Sequence, residues 1–524
     1  MDLLLIRPDP GNERFGLGPF FRVEPLGLEY VAAAARARGF RPAIIDERFH
    51  RWRWAWLART RVPVVGISCM HALEYDRVLD LARAIRRVSP RTFIVVGGHA
   101  AAAHAAPLES DDIDAVCMDD GEIVFPALLD AMSRKQDPAT VPGLRVRAGS
   151  GWIATPAPAE RPGLDEVPAP ARDLVAAYRN RYHCLLFKPV WLVETARGCP
   201  YRCTFCSVWS LYDRSFRERS IDAVVEDMAQ AGENIFIVDD LFWHHPERSL
   251  ALARALIRKG VRKRWLLVQT RTDLVCRHAD LLEAWRPLAQ DFDIFFGLEA
   301  PSDAGLGRLS KDATIMESVE AARIARSMRY GVTGNFVIDP DWDEDNFREL
   351  WAFVAAHEFG RAGYTILTPL PGTDLHRDHA ALRRDEPWFK YDMHHLLWEP
   401  RLGARRFFEL YAETWRRSIL NLSGEKRWTD WARQVHPTQI PYLMRVLRRT
   451  QRMMRAEAYL AEHDDDAPRR DGASRSIQRP AASATTLPSM PRETTSTPAS
   501  PRAAAAASAA TAPAAPGSPA SPER

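Results

Sequence analysis

Between Trp191 and Leu370 six apolar runs recur: WLVET (191–195), NIFIVDD (234–240), WLLVQT (265–270), IFFGLEA (294–300), TGNFVIDP (333–340) and YTILTPL (364–370). Each is too short for a helix and nearly continuous in apolar residues, the pattern of a strand buried on both faces of a parallel sheet. The spacing, roughly 30 residues, leaves room for one helix between consecutive strands, so the unit is a repeated β/α. Six units where a closed barrel has eight predict a partial, open (β/α)6 TIM-like barrel, with functional groups at the strand C-termini.

A second, shorter series precedes it. LLLIR (3–7), AIID (43–46), VVGIS (64–68), FIVVGG (93–98) and DAVCMD (114–119) alternate with helical patterns over GLEYVAAAARARGF (27–40) and YDRVLDLARAIRRVS (75–89). The series predicts a small α/β domain, a doubly wound parallel sheet that binds its ligand at the strand C-termini near the topological switch point. TPAPAERPGLDEVPAPARD (155–173) is rich in proline and predicts a linker. Helical patterns with many aromatics follow, as in RRFFELYAETWRRSILNL (405–422), and beyond Asp466 the composition falls to Ala, Pro, Ser and Thr. The predicted organisation is a doubly wound domain over 1–137, a linker over 138–180, a partial barrel over 181–384, a helical region over 385–465 and a disordered tail over 466–524.

Composition narrows the function. A formal net charge of +3 over 524 residues points to no nucleic-acid partner. Seven cysteines, an odd number, do not make a secreted disulfide framework. MDLLLIRPDPGNERFG lacks the basic start and long apolar core of a secretion signal, and no apolar run is long enough to span a bilayer. The expectation is a cytoplasmic protein.

Three of the cysteines stand together in ETARGCPYRCTFCSVW (194–209), as Cys199, Cys203 and Cys206, directly after the first barrel strand. Four thiolates would close a zinc site or fully ligate an ordinary iron–sulfur cluster; three leave a coordination position open. The bland reading is a zinc knuckle completed by His183 or Cys184. Cys69, Cys117, Cys184 and Cys276 read as structural thiols.

With Phe205 before the last thiol, the CxxxCxFC run resembles the cluster motif of the radical S-adenosylmethionine (SAM) enzymes. The resemblance implies that Cys199, Cys203 and Cys206 hold three irons of a [4Fe–4S] cluster whose fourth iron chelates SAM, and that reduction cleaves SAM to methionine and a 5′-deoxyadenosyl radical. It also implies SAM contacts at the strand ends. Asp239 or Asp240 in VDDLFW stands where the family has a Gly-Gly-Glu-like element, while Gln269 and Arg271 lie at the end of the third strand, Glu299 ends the fourth and Asn335 lies within the fifth. For each of these the alternative is an ordinary residue of the barrel mouth that caps the next helix. Gly372 in PLPGT reads as a turn residue.

The first domain resembles the cobalamin-binding domain of the cobalamin-dependent radical SAM enzymes, through VVGISC (64–69), FIVVGGHAAAAHAAPL (93–108) and DAVCMDDGE (114–122). Gly97 and Gly98 end a strand where the backbone must approach a bulky ligand, with Ser68 and His99 beside them. Gly121 and Glu122 match half of the family's GEGE-like element. No DxHxxG motif is present, so His99 is not assigned as a cobalt ligand, and the resemblance implies a lower cobalt face without histidine. The competing reading is a flavodoxin-like or dinucleotide-binding module; no GxGxxG follows the first strand, which weighs against the latter.

Together the two halves imply a methylase of unactivated carbon. Within the family, residues 181–209, 236–250, 261–278 and 389–421 most resemble the hopanoid C-3 methylases. That likeness implies a hopanoid lipid methylated at C-3 of ring A, a low-potential electron donor such as flavodoxin or ferredoxin, and peripheral contact with the inner membrane. Trp388, Phe389, Tyr391 and Trp398 are candidate substrate-lining aromatics, with helix packing the plainer role for at least half of them. A hydrogen atom taken from an sp³ carbon needs no general base, so no catalytic side chain is assigned. The alternatives are a tetrapyrrole cyclase or natural-product methylase of the same build, and a non-catalytic cobalamin or redox sensor.

Overall fold

The computed structural model describes residues 2–10, 21–50, 54–161, 163–184, 186–359, 361–379, 387–420 and 440–463. The tail predicted over 466–524 lies outside the described residues. Strands β1 (Leu3–Arg7), β2 (Pro42–Asp46), β3 (Val64–Ser68), β4 (Phe93–Gly97), β5 (Ala115–Cys117), β6 (Leu144–Ala148) and β7 (Gly151–Ala154) form one sheet in the order β2-β1-β3-β4-β5-β6-β7. The first five are parallel and the last two antiparallel. The chain turns from one side of β1 to the other between β2 and β3, which opens a crevice at the C-terminal ends of β1 and β3.

Period-two alternation covers both faces of this sheet. Leu3, Leu5, Ile44, Val64 and Val95 pack under helices α1 (Leu26–Ala37) and, later in the chain, Gly121–Ser133. Leu4, Ile6, Val65, Ile67, Ile94 and Val96 pack on the other face under α2 (Tyr75–Val88). A short helix α3 (His99–Ala103) follows β4, and Gly121–Ser133 is α4. The alanines of α1 let α4 lie close: a Cβ on Gly121 would come within 3.1 Å of Val31.

The linker expected over 138–180 is partly sheet. Leu144 and Val146 alternate inward on β6, and the β6–β7 hairpin extends the first sheet past residue 137. Further on, Arg172 pairs with Asp227 and donates to the Leu192 carbonyl, and Arg179 pairs with Glu24. The prolines that suggested a linker flank these ordered pieces.

The second sheet has six parallel strands in sequence order: β8 (Trp191–Val193), β9 (Asn234–Ile237), β10 (Lys263–Thr270), β11 (Ala289–Glu299), β12 (Gly331–Ile338) and β13 (Ala362–Ile366). Ile235, Ile237, Leu266, Val268, Ile294 and Phe296 point outward into a core shared with α5 (Ile221–Gln230), α6 (Pro246–Arg258), α7 (Ile315–Ser327) and α8 (Glu344–Ala356). Helix starts are capped as the sequence allows: Ser220 accepts from Ala223, and Thr314 with Glu317 forms a capping box. The inward residues Trp265 and Leu267 join the core of the first sheet, where Phe187 stacks on Trp265 at 4.2 Å.

The C-terminal helices α9 (Ala404–Leu420), α10 (Ile440–Met453) and α11 (Ala456–His463) are continuous with the barrel core rather than separate from it. Tyr411 donates to the Tyr364 carbonyl on β13, and Trp415 meets Tyr364 edge-on at 5.3 Å. Among the described residues no helix is long and apolar enough to cross a membrane.

Candidate active site

The three-cysteine loop leaves a small antiparallel hairpin, Ala196–Gly198 against Phe216–Glu218. Gly198, just before Cys199, has φ +97°, and a Cβ there would sit 2.2 Å from the Ser215 carbonyl oxygen. Only glycine fits this crossing. Inside the loop, the Cys203 carbonyl accepts from the Cys206 amide at 3.1 Å and from Trp209 Nε1 at 3.0 Å. Thr204 ties the loop to the barrel rim, its amide donating to Leu309 and its carbonyl accepting from Leu375. The aromatic at 205 packs against Leu309, Val337 and Leu367, which together with Leu375 and Trp398 make an apolar wall at the mouth.

The thiols of Cys199, Cys203 and Cys206 are free and half-buried. Burial pushes all three up, Cys206 to about 12. Among the described residues no three His, Cys, Asp or Glu side chains converge on one metal-ion position. The two ligands proposed to complete a zinc knuckle are placed elsewhere: His183 and Cys184 pair with Arg22 and Phe21, and Cys184 is fully buried in the core beneath the first sheet.

Two neighbouring carboxylates at the end of β9 are in opposite situations. Asp239 is 1% exposed and accepts from both the amide and hydroxyl of Thr195; burial pushes it up to about 7. Asp240 accepts from the Gly198 amide at 3.0 Å through one oxygen; the residue keeps exposed surface, while burial of its carboxyl pushes it up to about 6. Gln269 is half-buried at the end of β10. The Arg271 guanidinium lies 3.7 Å from the Tyr201 ring centroid, between Cys199 and Cys203, and bonds Asp273 and the Asp312 carbonyl. Glu299 has φ +63°, at the bulge where β11 slips against β12, and accepts from Lys311 Nζ at 2.9 Å; Lys311 also donates to the Gly297 carbonyl. Asn335 donates to Thr365 Oγ1 at 2.9 Å.

At the first sheet, Ser68 on β3 faces Gly97 on β4. Gly98 has φ +115° and a Cβ there would lie 2.7 Å from the Cys69 carbonyl oxygen, yet the residue itself is exposed. Met70, 40% exposed, and His71 open onto the same strand ends. Burial lowers His99 to about 4, and its Nε2 shares a hydrogen bond with Ser207 Oγ at 2.6 Å. Glu122 pairs with Arg197, which also meets Asp120 at 2.9 Å and Glu194 at 2.9 Å.

Residues 19–129 match the B12 binding domain family and residues 193–354 the Radical SAM superfamily. The hopanoid C-3 methylase of Methylococcus capsulatus is 32% identical over 397 residues, covering 74% of this chain and 75% of its own. The chain belongs to the cobalamin-dependent radical SAM enzymes. This radical SAM enzyme is also 25% identical to the anaerobic magnesium-protoporphyrin IX monomethyl ester cyclase of Rubrivivax gelatinosus, over 72% of this chain and 70% of that one. Its fold is shared with the cobalamin-dependent SAM radical enzyme OxsB, solved with aqua-cobalamin and SAM bound, at TM-score 0.64 and 15% identity over 88% of this chain and 74% of that one.

The residues of the radical SAM enzyme fit its three cofactors, a [4Fe–4S] cluster, SAM and cobalamin. Three free thiols on one loop suit a cluster in which each thiolate binds its own iron. The exposed backbone at Gly98, next to Ser68 and the open Met70 and His71, suits a broad ligand laid across the strand ends. Exposed Asp240 and the Glu299–Lys311 pair give the mouth polar groups of both signs. The enzyme works as a methyltransferase or cyclase through a 5′-deoxyadenosyl radical.

Several residues that shape this site are missed by sequence reasoning: Thr195, Arg197, Tyr201, Ser207 and Lys311. Lys311 is the most legible of them, a lysine 12 residues past Glu299 with no helix pattern to claim it. Of the candidate aromatics, Trp388 packs edge-on against Tyr75 at 4.7 Å and Tyr391 is buried in the core of the first sheet, while Phe389 meets His395 edge-on. Trp398 alone of the four packs on the apolar wall at the barrel mouth. Gly372 has φ +85° and a Cβ there would lie 3.0 Å from Ala103 Cβ, a packing reason for the glycine.

Proposed function

We propose that this enzyme methylates an unactivated sp³ carbon of an apolar polycyclic lipid, C-3 of ring A of a bacterial hopanoid. The observation that carries the reading is the apolar wall of Leu309, Val337, Leu367, Leu375 and Trp398 against Phe205 of the thiol loop. A hydrocarbon ring system held there meets aliphatic and aromatic side chains, with Arg308, Asp339 and Glu349 lining the adjoining pocket behind Leu309, Val337 and Leu367. Support also comes from the likeness to the Methylococcus methylase across 75% of that protein.

When bound, the cluster and SAM supply a radical that removes a hydrogen atom, and cobalamin supplies the methyl group. The chain's own part is placement. Cys199, Cys203 and Cys206 would hold the cluster, Arg271 braces Tyr201 of their loop, and Gly198 sets the loop's entry. Asp240, which keeps exposed surface at the end of β9, and the Glu299–Lys311 pair would receive the amino, carboxylate or ribose groups of SAM. Asp239, enclosed by Thr195, acts on the hairpin instead. Gly97, Gly98 and Ser68 would receive the corrinoid. The reading brings with it a low-potential flavodoxin or ferredoxin as electron donor and peripheral contact with the inner membrane, where hopanoids reside.

A second reading, ring closure on a tetrapyrrole, is favoured by the likeness to the Rubrivivax cyclase across 70% of its length. Anaerobic turnover with SAM, a strong reductant and an unmethylated hopanoid decides between them by mass spectrometry. The proposal expects a product heavier by one methylene, absent with Cys203→Ala. An unchanged hopanoid alongside conversion of a magnesium-porphyrin ester would overturn the substrate and leave the radical chemistry standing.

A further inference from the structure

The thiol loop is gripped at both ends, and each grip reaches it from the cobalamin-binding domain. On the N-terminal side Arg197, two residues before Cys199, forms ion pairs with Asp120 and Glu122 at the start of α4, and Arg217 of the same hairpin pairs with Asp120 at 2.6 Å. On the C-terminal side Ser207, next to Cys206, bonds His99 at the start of α3 across 108 residues of sequence. These acidic residues follow β5, and His99 follows β4 and the Gly97–Gly98 pair. The loop after β4, which carries the exposed Gly98 backbone, therefore also carries the imidazole that holds the residue beside Cys206. Space around the second grip is tight: a Cβ on Gly372 would lie 3.0 Å from Ala103 Cβ of α3 and 3.6 Å from Ser207 Cβ.

We propose that His99 is a positioning residue whose hydrogen bond to Ser207 couples occupancy of the corrinoid crevice to the order of the cluster loop, so that cobalamin and the cluster bind cooperatively. A ligand that fixes the Gly98–His99 backbone fixes the imidazole, and the imidazole fixes the residue beside Cys206. The coupling is reciprocal, since each cofactor alters the other's affinity by one factor. It holds for any substrate, because neither grip involves the apolar wall.

The test uses the full chain under anaerobic conditions. Cobalamin is titrated by its absorbance into protein with and without a reconstituted cluster, and hydrogen exchange of the 199–209 backbone is followed with and without cobalamin. A coupling of about five-fold, equivalent to about 1 kcal/mol, is expected for one half-buried hydrogen bond, together with slower exchange in the loop when cobalamin is present. His99→Ala is expected to bind each cofactor alone and lose the coupling; Ser207→Ala is expected to match it, and the double variant to add nothing. His99→Gln, whose amide reaches the Nε2 position, is expected to restore the coupling. Should His99→Ala fail to fold, Ser207→Ala carries the measurement. Wild-type protein without coupling, or Ser207→Ala with full coupling, overturns the proposal. Loss of cobalamin binding by His99→Ala in the absence of cluster also overturns it, since His99 would then be a direct corrinoid contact.

Discussion

At Gly198 the chain crosses the Ser215 carbonyl with φ +97°, one residue before the first thiol. Any side chain there must push the hairpin apart. Gly198→Ala is expected to cost about 1–3 kcal/mol in backbone strain and to lower the iron bound after reconstitution; full iron loading with an unchanged melting temperature would count against this role. The two aspartates after β9 differ in the same concrete way. Asp239→Asn breaks a buried double acceptor and is expected to lower the melting temperature with SAM affinity of the surviving fold little changed. Asp240→Asn is expected to weaken SAM binding with the melting temperature nearly unchanged, measured by equilibrium binding and calorimetry. The reverse pattern would exchange their roles. In sequence the pair is a single DD, and neighbouring positions at a strand end point to opposite sides. Which one faces the mouth is decided by the hairpin packed against them, and no local pattern carries that.

Element by element, what was local in the sequence was legible and what depended on partners was not. The six barrel strands and the first five of the N-terminal sheet follow from continuous apolar runs, and the cluster loop from three cysteines within eight residues. The β6–β7 hairpin escaped because Leu144 and Val146 give only two inward positions amid proline-rich flanks. The contact from His99 to Ser207 escaped because its partners stand in different domains. The C-terminal segment holds another such feature, a buried link in which His395 bonds Asp392 at 2.8 Å and faces Glu462 of α11. Asp392 and Glu462 outweigh burial and raise the imidazole to about 9. Its folded pKa exceeds the ordinary 6.5, so this stabilisation is complete below pH 6.5 and is lost as pH rises through 9. Thermal melts between pH 6 and 9.5 are expected to show a decline that His395→Gln removes; an identical decline in that variant would assign it to other groups.

For the molecule as a whole, the two α/β layers work as one body because they share a core and a site. Trp265 and Leu267 of the barrel pack into the first sheet's core, and Arg197 and Ser207 tie the thiol loop to that domain's strand ends. The central claim is that the open position beside Cys199, Cys203 and Cys206 serves SAM. The most direct measurement is anaerobic reconstitution of the full chain, followed by iron analysis and quantification of 5′-deoxyadenosine after SAM and a strong reductant are added. The account expects about four irons per chain and 5′-deoxyadenosine formed by the wild type, with both falling in Cys203→Ala. A fully loaded, reduced wild type that leaves SAM intact would contradict it.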